Sequence, residues 1–201
     1  MKAMPKILIT GAPGVGKTTL IKNIVEKLLA VKAANIHAAG FLNLNAENEK
    51  GKPIRVIRTM DGQEVPIATS GKGRGTRVDN FYVDEQAIEA VTLEAISFRM
   101  GIDLYVIDEI GPMETISRTF SVMAKMLMKK DEVAVLASAA KQGRGFVREV
   151  KYMPGIEVHD LTAENAAQIE DQVCRSLLAA FAARPPQPPV TVPPLSTPPS
   201  A

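Results

Sequence analysis

Residues 11–19, GAPGVGKTT, place glycines, a lysine and a threonine at the spacing G-x-x-x-x-G-K-[S/T]. In such a loop the glycines let backbone N–H groups converge on one centre, and the following helix adds partial positive charge there. Lys17 would reach the β- and γ-phosphates of a nucleotide, and the Thr18 hydroxyl would bind Mg²⁺. The spacing therefore predicts a site for a nucleoside triphosphate with Mg²⁺ as cofactor, rather than a glycine turn that merely starts a helix. The residues assigned to phosphate are Gly11, Ala12, Pro13, Gly14, Val15, Gly16, Lys17, Thr18 and Thr19.

A second group of polar residues follows the apolar run LYVI at residues 104–107. Asp108 and Glu109 end this predicted strand, and Glu114 lies five residues after Glu109. Carboxylates at the end of a buried strand need a cation, a hydrogen-bond donor or a chemical role. With the phosphate loop in the same chain, we expect Asp108 to hold Mg²⁺ and Glu109 to orient and deprotonate an attacking water, rather than to cap a helix. Two roles stay open for Glu114: a catalytic group aimed at the water or metal, or a carboxylate favoured by a helix dipole.

Basic residues supply further candidates. Arg144 follows another predicted strand, in KQGRGF, and is a candidate catalytic arginine that would stabilise charge on the transferred phosphate. The segment 50–77 is rich in lysine and arginine and contains the glycine-rich stretch SGKGRGTR. A loop that closes over the triphosphate and a merely solvated loop are both compatible with this composition.

Predicted strands and helices alternate along most of the chain, which indicates an α/β fold with a mostly parallel sheet and helices on both faces. The predicted strands are KILIT (6–10), LYVIDEI (104–110), VAVLASA (133–139) and EVHDL (157–161). The predicted helices span about 17–31, 85–100, 114–130, 145–152 and 163–183. Residues 37–80 interrupt the alternation with short extended segments and turns, typical of an antiparallel β excursion. The acidic residues would share a sheet edge with the phosphate loop if LYVIDE runs beside KILIT.

The composition argues against several other classes of protein. The net charge is only +2, aromatic residues make up 4% of the chain and tryptophan is absent, so no nucleic-acid partner is expected. A single cysteine, Cys174, excludes an internal disulfide. No run reaches the roughly 18 apolar residues of a membrane span, and the apolar run before the glycine loop is too short for a secretion signal. We therefore expect a cytoplasmic protein with no membrane partner.

The last 18 residues differ from the rest in composition. Eight of them are proline, against six in the first 183 residues, which places a boundary between a domain at 1–183 and a tail at 184–201. Such a sequence has little to bury and is predicted to be disordered. Pro185 and Pro188 form a P-x-x-P pattern, so a partner of the SH3 or WW type is the alternative role.

Five segments of the chain occur in the order of a known family. GAPGVGKTTL, GFLNLN, FYVDEQAIE, VIDEIGPME and VLASA…FVREVKYMPGIEVHDLTAEN resemble the small P-loop nucleoside-triphosphatases, whose vertebrate member is called cancer-related nucleoside-triphosphatase. The resemblance covers about residues 5–175. It implies a RecA-like α/β fold and Mg²⁺-dependent hydrolysis of several nucleoside triphosphates to diphosphates, with the phosphate loop, Asp108, Glu109 and Glu114 in the site. Pro112 stands where the family commonly has lysine, which leaves rate and substrate range open.

Three functions fit these features: a nucleoside-triphosphatase of broad base range, a small nucleotide or metabolite kinase on the same fold, and a non-catalytic module gated by nucleotide. Glu109 next to Asp108 favours the first, because hydrolysis needs a polarised water whereas a kinase must exclude water. No Asn-Lys-x-Asp element follows a later strand, which argues against selection of guanine and agrees with the broad base range that the resemblance implies.

Overall fold

The computed structural model describes residues 3–71 and 73–184, which form one nine-stranded sheet with five α-helices. The strands are β1 (Lys6–Gly11), β2 (Ala38–Glu47), β3 (Pro53–Thr59), β4 (Glu64–Ser70), β5 (Thr76–Val78), β6 (Phe81–Val83), β7 (Leu104–Ile110), β8 (Ala134–Ala140) and β9 (Ile156–Leu161). The helices are α1 (Lys17–Ala30), α2 (Glu85–Ile96), α3 (Arg118–Met128), α4 (Phe146–Glu149) and α5 (Ala166–Ala182). Within the described ranges, none of these helices has the length and apolar character of a membrane span.

The strands lie in the order β5-β6-β4-β3-β2-β7-β8-β1-β9. β2, β7, β8, β1 and β9 run parallel, and β3 to β6 run antiparallel to their neighbours. The α/β class and the antiparallel excursion are thus confirmed, although the excursion reaches Val83 instead of ending at residue 80. LYVIDE does not run directly beside KILIT, the condition named above for a shared edge, because β8 lies between β7 and β1. All three strands are parallel, so their carboxyl ends still share one edge.

Both faces of the sheet are covered, which explains the continuous apolar runs of the central strands. Along β7, Leu104 and Val106 pack in the core on the side of α1 and α5. Tyr105 and Ile107 pack on the opposite side, with residues of α2 and α3. Because side chains alternate along a strand, Asp108 follows Val106 on the side of α1.

One ribbon rises beyond the carboxyl edge of the parallel strands. The pairing of β2 with β7 ends where Leu42 meets Asp108, but β2 continues through residues 43–47, paired with β3 alone. Asn43 is the first residue of this extension and is 6% exposed. Residues 43–47 of β2 therefore stand next to the acidic end of β7, and this extension is called the β2 wall below.

Two predicted helices begin later than expected. The helix predicted over 114–130 is a single 3₁₀ turn (Glu114–Ile116) followed by α3, because the Ser117 side chain accepts a hydrogen bond from the Phe120 N–H and starts a new helix. The helix predicted over 163–183 begins only at Ala166, after Asn165. The first shift concerns the site directly, since it separates Glu114 from any long helix.

Arg184, which the sequence assigns to the tail, packs on the domain. Its guanidinium forms an ion pair with the buried carboxylate of Asp103 and donates to the carbonyl oxygens of Ala34 and Asn35. Arg184 therefore belongs to the packed domain and not to the tail to which the sequence assigns it. The P-x-x-P motif and the rest of the tail lie outside the described residues, so the proposed SH3 or WW partner stays a prediction.

Candidate active site

The nine residues assigned to phosphate binding run from the last residue of β1 through the loop into the first turn of α1. Gly16 precedes the helix with a φ of 104°, a left-handed conformation that glycine adopts without strain. Any larger residue at position 16 would have a strained backbone. The first turn of α1 contains no acidic residue that would compete with an anion. Since the first N–H groups of a helix have no partner within it, this turn offers donors and partial positive charge to phosphate oxygens.

Asp108 lies buried at the carboxyl end of β7, with none of its surface exposed. Its Oδ1 accepts a hydrogen bond from Ser138 on the neighbouring strand β8, and its Oδ2 has no hydrogen-bond partner among the described residues. Burial raises the pKa of Asp108, and the hydroxyls of Ser138 and Thr18 oppose the rise. A buried carboxylate that has one unpartnered oxygen and lies close to the threonine of a phosphate loop is a suitable place for a divalent cation.

Glu109 forms an ion pair with the phosphate-loop lysine. Its Oε1 lies 3.4 Å from Lys17 Nζ, which also lies 3.5 Å from the carbonyl oxygen of Gly11. Strict alternation along β7 would send Glu109 to the face of α2 and α3. The register of β7 against β8 shifts between Ile107 and Ile110, however, and this bulge-like irregularity re-aims the intervening residues. Glu109 therefore reaches the phosphate loop on the edge of the sheet.

Glu114 is 2% exposed and accepts a hydrogen bond from the Asn43 side chain of the β2 wall. Burial raises its pKa from an ordinary value of 4.5 to about 7, and the negative charges of Glu109 and Asp108 add to the rise, while Arg55 opposes it. At neutral pH this carboxyl group is thus held close to the midpoint of its titration. Asn43 and Ser138 were not predicted from the sequence, where their only signals are the asparagines of GFLNLN and a single polar residue in VAVLASA.

The two glutamates flank Gly111. A Cβ atom added to this glycine would lie 2.9 Å from Glu114 Oε2 and 3.7 Å from the Glu109 Cδ atom. The carboxyl groups of Glu109 and Glu114 therefore both border the space that a side chain at position 111 would occupy. A larger residue at 111 would push against Glu114, so the glycine keeps this space open between them.

The raised pKa of Glu114 predicts a pH-dependent stability. A group whose pKa is higher in the folded state stabilises fully below its unfolded pKa, near 4.5, and this contribution is lost as pH rises through about 7. Glutamine cannot ionise and escapes the loss. We expect Glu114→Gln to gain about 2–3 kcal/mol in unfolding free energy relative to wild type between pH 5 and pH 8. Urea unfolding at the two pH values measures this gain.

The matched control for that experiment is Glu149→Gln, which removes an exposed carboxylate on α4. Its difference from wild type should change little between the two pH values, because Glu149 forms only a solvent-exposed ion pair with Lys125, and such pairs contribute little to stability. A Glu114→Gln variant whose difference from wild type is equally insensitive to pH would contradict the burial argument.

The remaining candidates lie around this centre. Arg144 is exposed on the loop between β8 and α4, and its role as a catalytic arginine stays a prediction. Pro112 is exposed on the turn that follows β7. The turn at 48–52 and the loop that contains Arg74 stand at the tips of the antiparallel strands, on the same edge as the phosphate loop. This placement is compatible with closure over a triphosphate.

Comparison with known proteins gives consistent matches. A family model described as NTPase matches residues 6–174. The nucleoside-triphosphatase THEP1 of Thermotoga maritima is 32% identical over 171 residues, which cover 84% of this chain and 92% of that protein. The crystal structure of THEP1 from the hyperthermophile Aquifex aeolicus is similar with a TM-score of 0.72 and 30% identity, covering 84% of this chain and 96% of that one. The solution structure of a human cancer-related nucleoside triphosphatase gives a TM-score of 0.72 at 25% identity, covering 90% of this chain and 100% of that one.

Proposed function

This chain belongs to the NTPase family, and from that premise we propose that it hydrolyses nucleoside 5′-triphosphates to the diphosphate and inorganic phosphate, with Mg²⁺ and with little selectivity for the base. The enzyme class follows from the family.

The pairing of Lys17 with Glu109 at 3.4 Å is the observation that carries the proposal. The lysine of a phosphate loop contacts the β- and γ-phosphates, so a carboxylate next to that lysine lies close to the phosphorus that would be attacked. A carboxylate in that place suits the activation of water. A kinase would be served less well by it, because a water activated there competes with the acceptor.

In the proposed reaction, water attacks the γ-phosphorus in line, and the bond from this phosphorus to the β–γ bridging oxygen breaks. Glu109 orients the water and accepts its proton. Lys17 and the N–H groups of the loop stabilise the negative charge on the transferred phosphate and on the leaving diphosphate. Glu114 and Asn43 hold the far side of the space above Gly111 and position Glu109 or the water.

The described residues fit a magnesium ion shared with the substrate. Thr18 and Asp108 would hold it, and the unpartnered, buried Oδ2 of Asp108 supports that assignment. In residues 3–71 and 73–184 no group of three or more His, Cys, Asp or Glu could hold a metal alone. Magnesium sites built on one or two protein oxygens, with phosphates and water as the other ligands, are common in such enzymes. When bound, the ion neutralises phosphate charge.

The experiment is a phosphate-release assay with the full chain, Mg²⁺ and each of ATP, GTP, CTP and UTP. We expect equal amounts of diphosphate and phosphate at comparable rates for the four bases, and loss of activity in excess chelator. Candidate acceptors, such as nucleoside monophosphates and sugars, should leave phosphate release unchanged. Diphosphate formed only with an acceptor, without free phosphate, would identify a kinase, and binding without turnover would identify a nucleotide-gated module.

A further inference from the structure

Lys151 is a basic residue with no sequence motif of its own, and it lies at the same edge of the sheet as the phosphate loop. It follows α4 on a 3₁₀ turn (Val150–Tyr152). Phe146, Val147 and Val150 are 9%, 1% and 0% exposed and anchor this turn in the core. The backbone that presents the lysine is therefore fixed, unlike that of an exposed loop.

The ammonium group of Lys151 is held at the end of β8. Its Nζ donates to the carbonyl oxygens of Ala140 at 2.5 Å and Lys141 at 2.6 Å. Ala140 is paired in register with Gly11, the first residue of the phosphate loop. The Gly11 carbonyl oxygen is in turn contacted by Lys17 Nζ. Two lysine side chains are thus anchored to paired residues of neighbouring strands, which lie about 4.8 Å apart.

Two charged residues of the candidate site, Glu109 and Lys17, act electrostatically on Lys151. Burial lowers its pKa, the carboxylates of Asp160 and Glu109 oppose this change, and the positive charge of Lys17 adds to it. Two cations that repel each other in a partly buried place are stabilised by an anion that contacts both. Two carbonyls occupy two of the three N–H donors, so one donor remains for an oxygen at the site.

Resting on the proposed function, we propose that Lys151 is a further phosphate-binding residue of this site, which contacts the γ-phosphate of the bound triphosphate from the side of β8. This role is separate from the one that the sequence predicts for Arg144 as a catalytic arginine. Arg144 is exposed on the loop, whereas Lys151 is tethered next to Gly11. The ligand chemistry is a terminal phosphate group, so a nucleoside diphosphate lacks the contact.

The test compares a non-hydrolysable Mg²⁺-ATP analogue with Mg²⁺-ADP as ligands. We expect Lys151→Met to weaken the analogue about 10- to 100-fold, the usual worth of a charged hydrogen bond, and ADP by less than about threefold. Lys151→Arg should restore much of the difference. Lys141→Met is the matched control, because Lys141 is exposed and pairs with Asp160 at 3.0 Å; it should leave both affinities near wild type.

Lys151 also donates hydrogen bonds to two backbone carbonyl oxygens, so the experiment must distinguish phosphate binding from a purely structural role. That role would weaken both ligands equally, or would lower the melting temperature without changing their ratio, and either result overturns the proposal. If Lys151→Met does not fold, Lys151→Gln keeps a donor for the carbonyls and decides the same ratio. The affinity ratio does not depend on turnover. A wild-type protein without phosphate release would therefore refute the proposed hydrolysis and leave this test intact.

Discussion

Replacing Glu109 by glutamine is expected to slow turnover by about 10²–10⁴-fold, the usual worth of a positioned general base. Glutamine keeps the size of the side chain and can still hydrogen-bond a water, but it cannot accept the proton. Affinity for Mg²⁺-nucleotide should change little, because Glu109 is 21% exposed in its ion pair and its carboxylate is not a proposed ligand of the phosphate. Single-turnover rates with saturating ATP measure the chemical step, and equilibrium titration measures binding.

Glu114→Gln is the internal comparison for this experiment. Glu114 is hydrogen-bonded to Asn43 and does not pair with Lys17, so we expect a smaller loss, about tenfold. If Glu109→Gln keeps a rate near wild type while Glu114→Gln loses most of its activity, the base is Glu114, whose pKa of about 7 also suits proton transfer at neutral pH. If both variants stay active, the proposed hydrolytic mechanism is wrong.

Removal of the Lys17 ammonium group is expected to abolish most triphosphate binding. Losing one partner of a close charge pair costs roughly 2–5 kcal/mol, so Lys17→Ala should weaken Mg²⁺-ATP by about 30-fold to several thousand-fold, and turnover should fall further. The fold should survive, since the carboxylate left behind, Glu109, is partly exposed and can be hydrated. Titration with a fluorescent triphosphate, together with circular dichroism, measures both effects.

Lys22→Ala is the matched control for Lys17→Ala. Lys22 lies on the same helix, and its pair with Glu26 at 3.8 Å is exposed to solvent. Such pairs contribute little, so this variant should bind and hydrolyse nucleotide like wild type. A folded Lys17→Ala protein with the phosphate release of the control would show that the site lies elsewhere.

Much of the fold can be predicted from local patterns in the sequence. The strand, glycine loop and helix around Lys17 are coded within about 25 residues, and the apolar run LYVI requires a strand buried on both faces. Turn signals predicted the antiparallel excursion. The helix starts were less accurate, because a serine that begins a helix, such as Ser117, resembles any other serine until its side chain meets the Phe120 N–H.

The sequence by itself determined that this protein has a phosphate loop and an acid pair at strand ends, because both depend on residues close together along the chain. Only the tertiary structure decided which groups meet. Strand order places Ser138 within hydrogen-bond distance of Asp108. The irregular register of β7 turns Glu109 toward Lys17. The β2 wall brings Asn43 to Glu114. Lys151 lies 134 residues from Lys17 and reaches the same edge only because β8 pairs with β1. Such contacts depend on pairing between distant segments, for which one sequence carries no local signal.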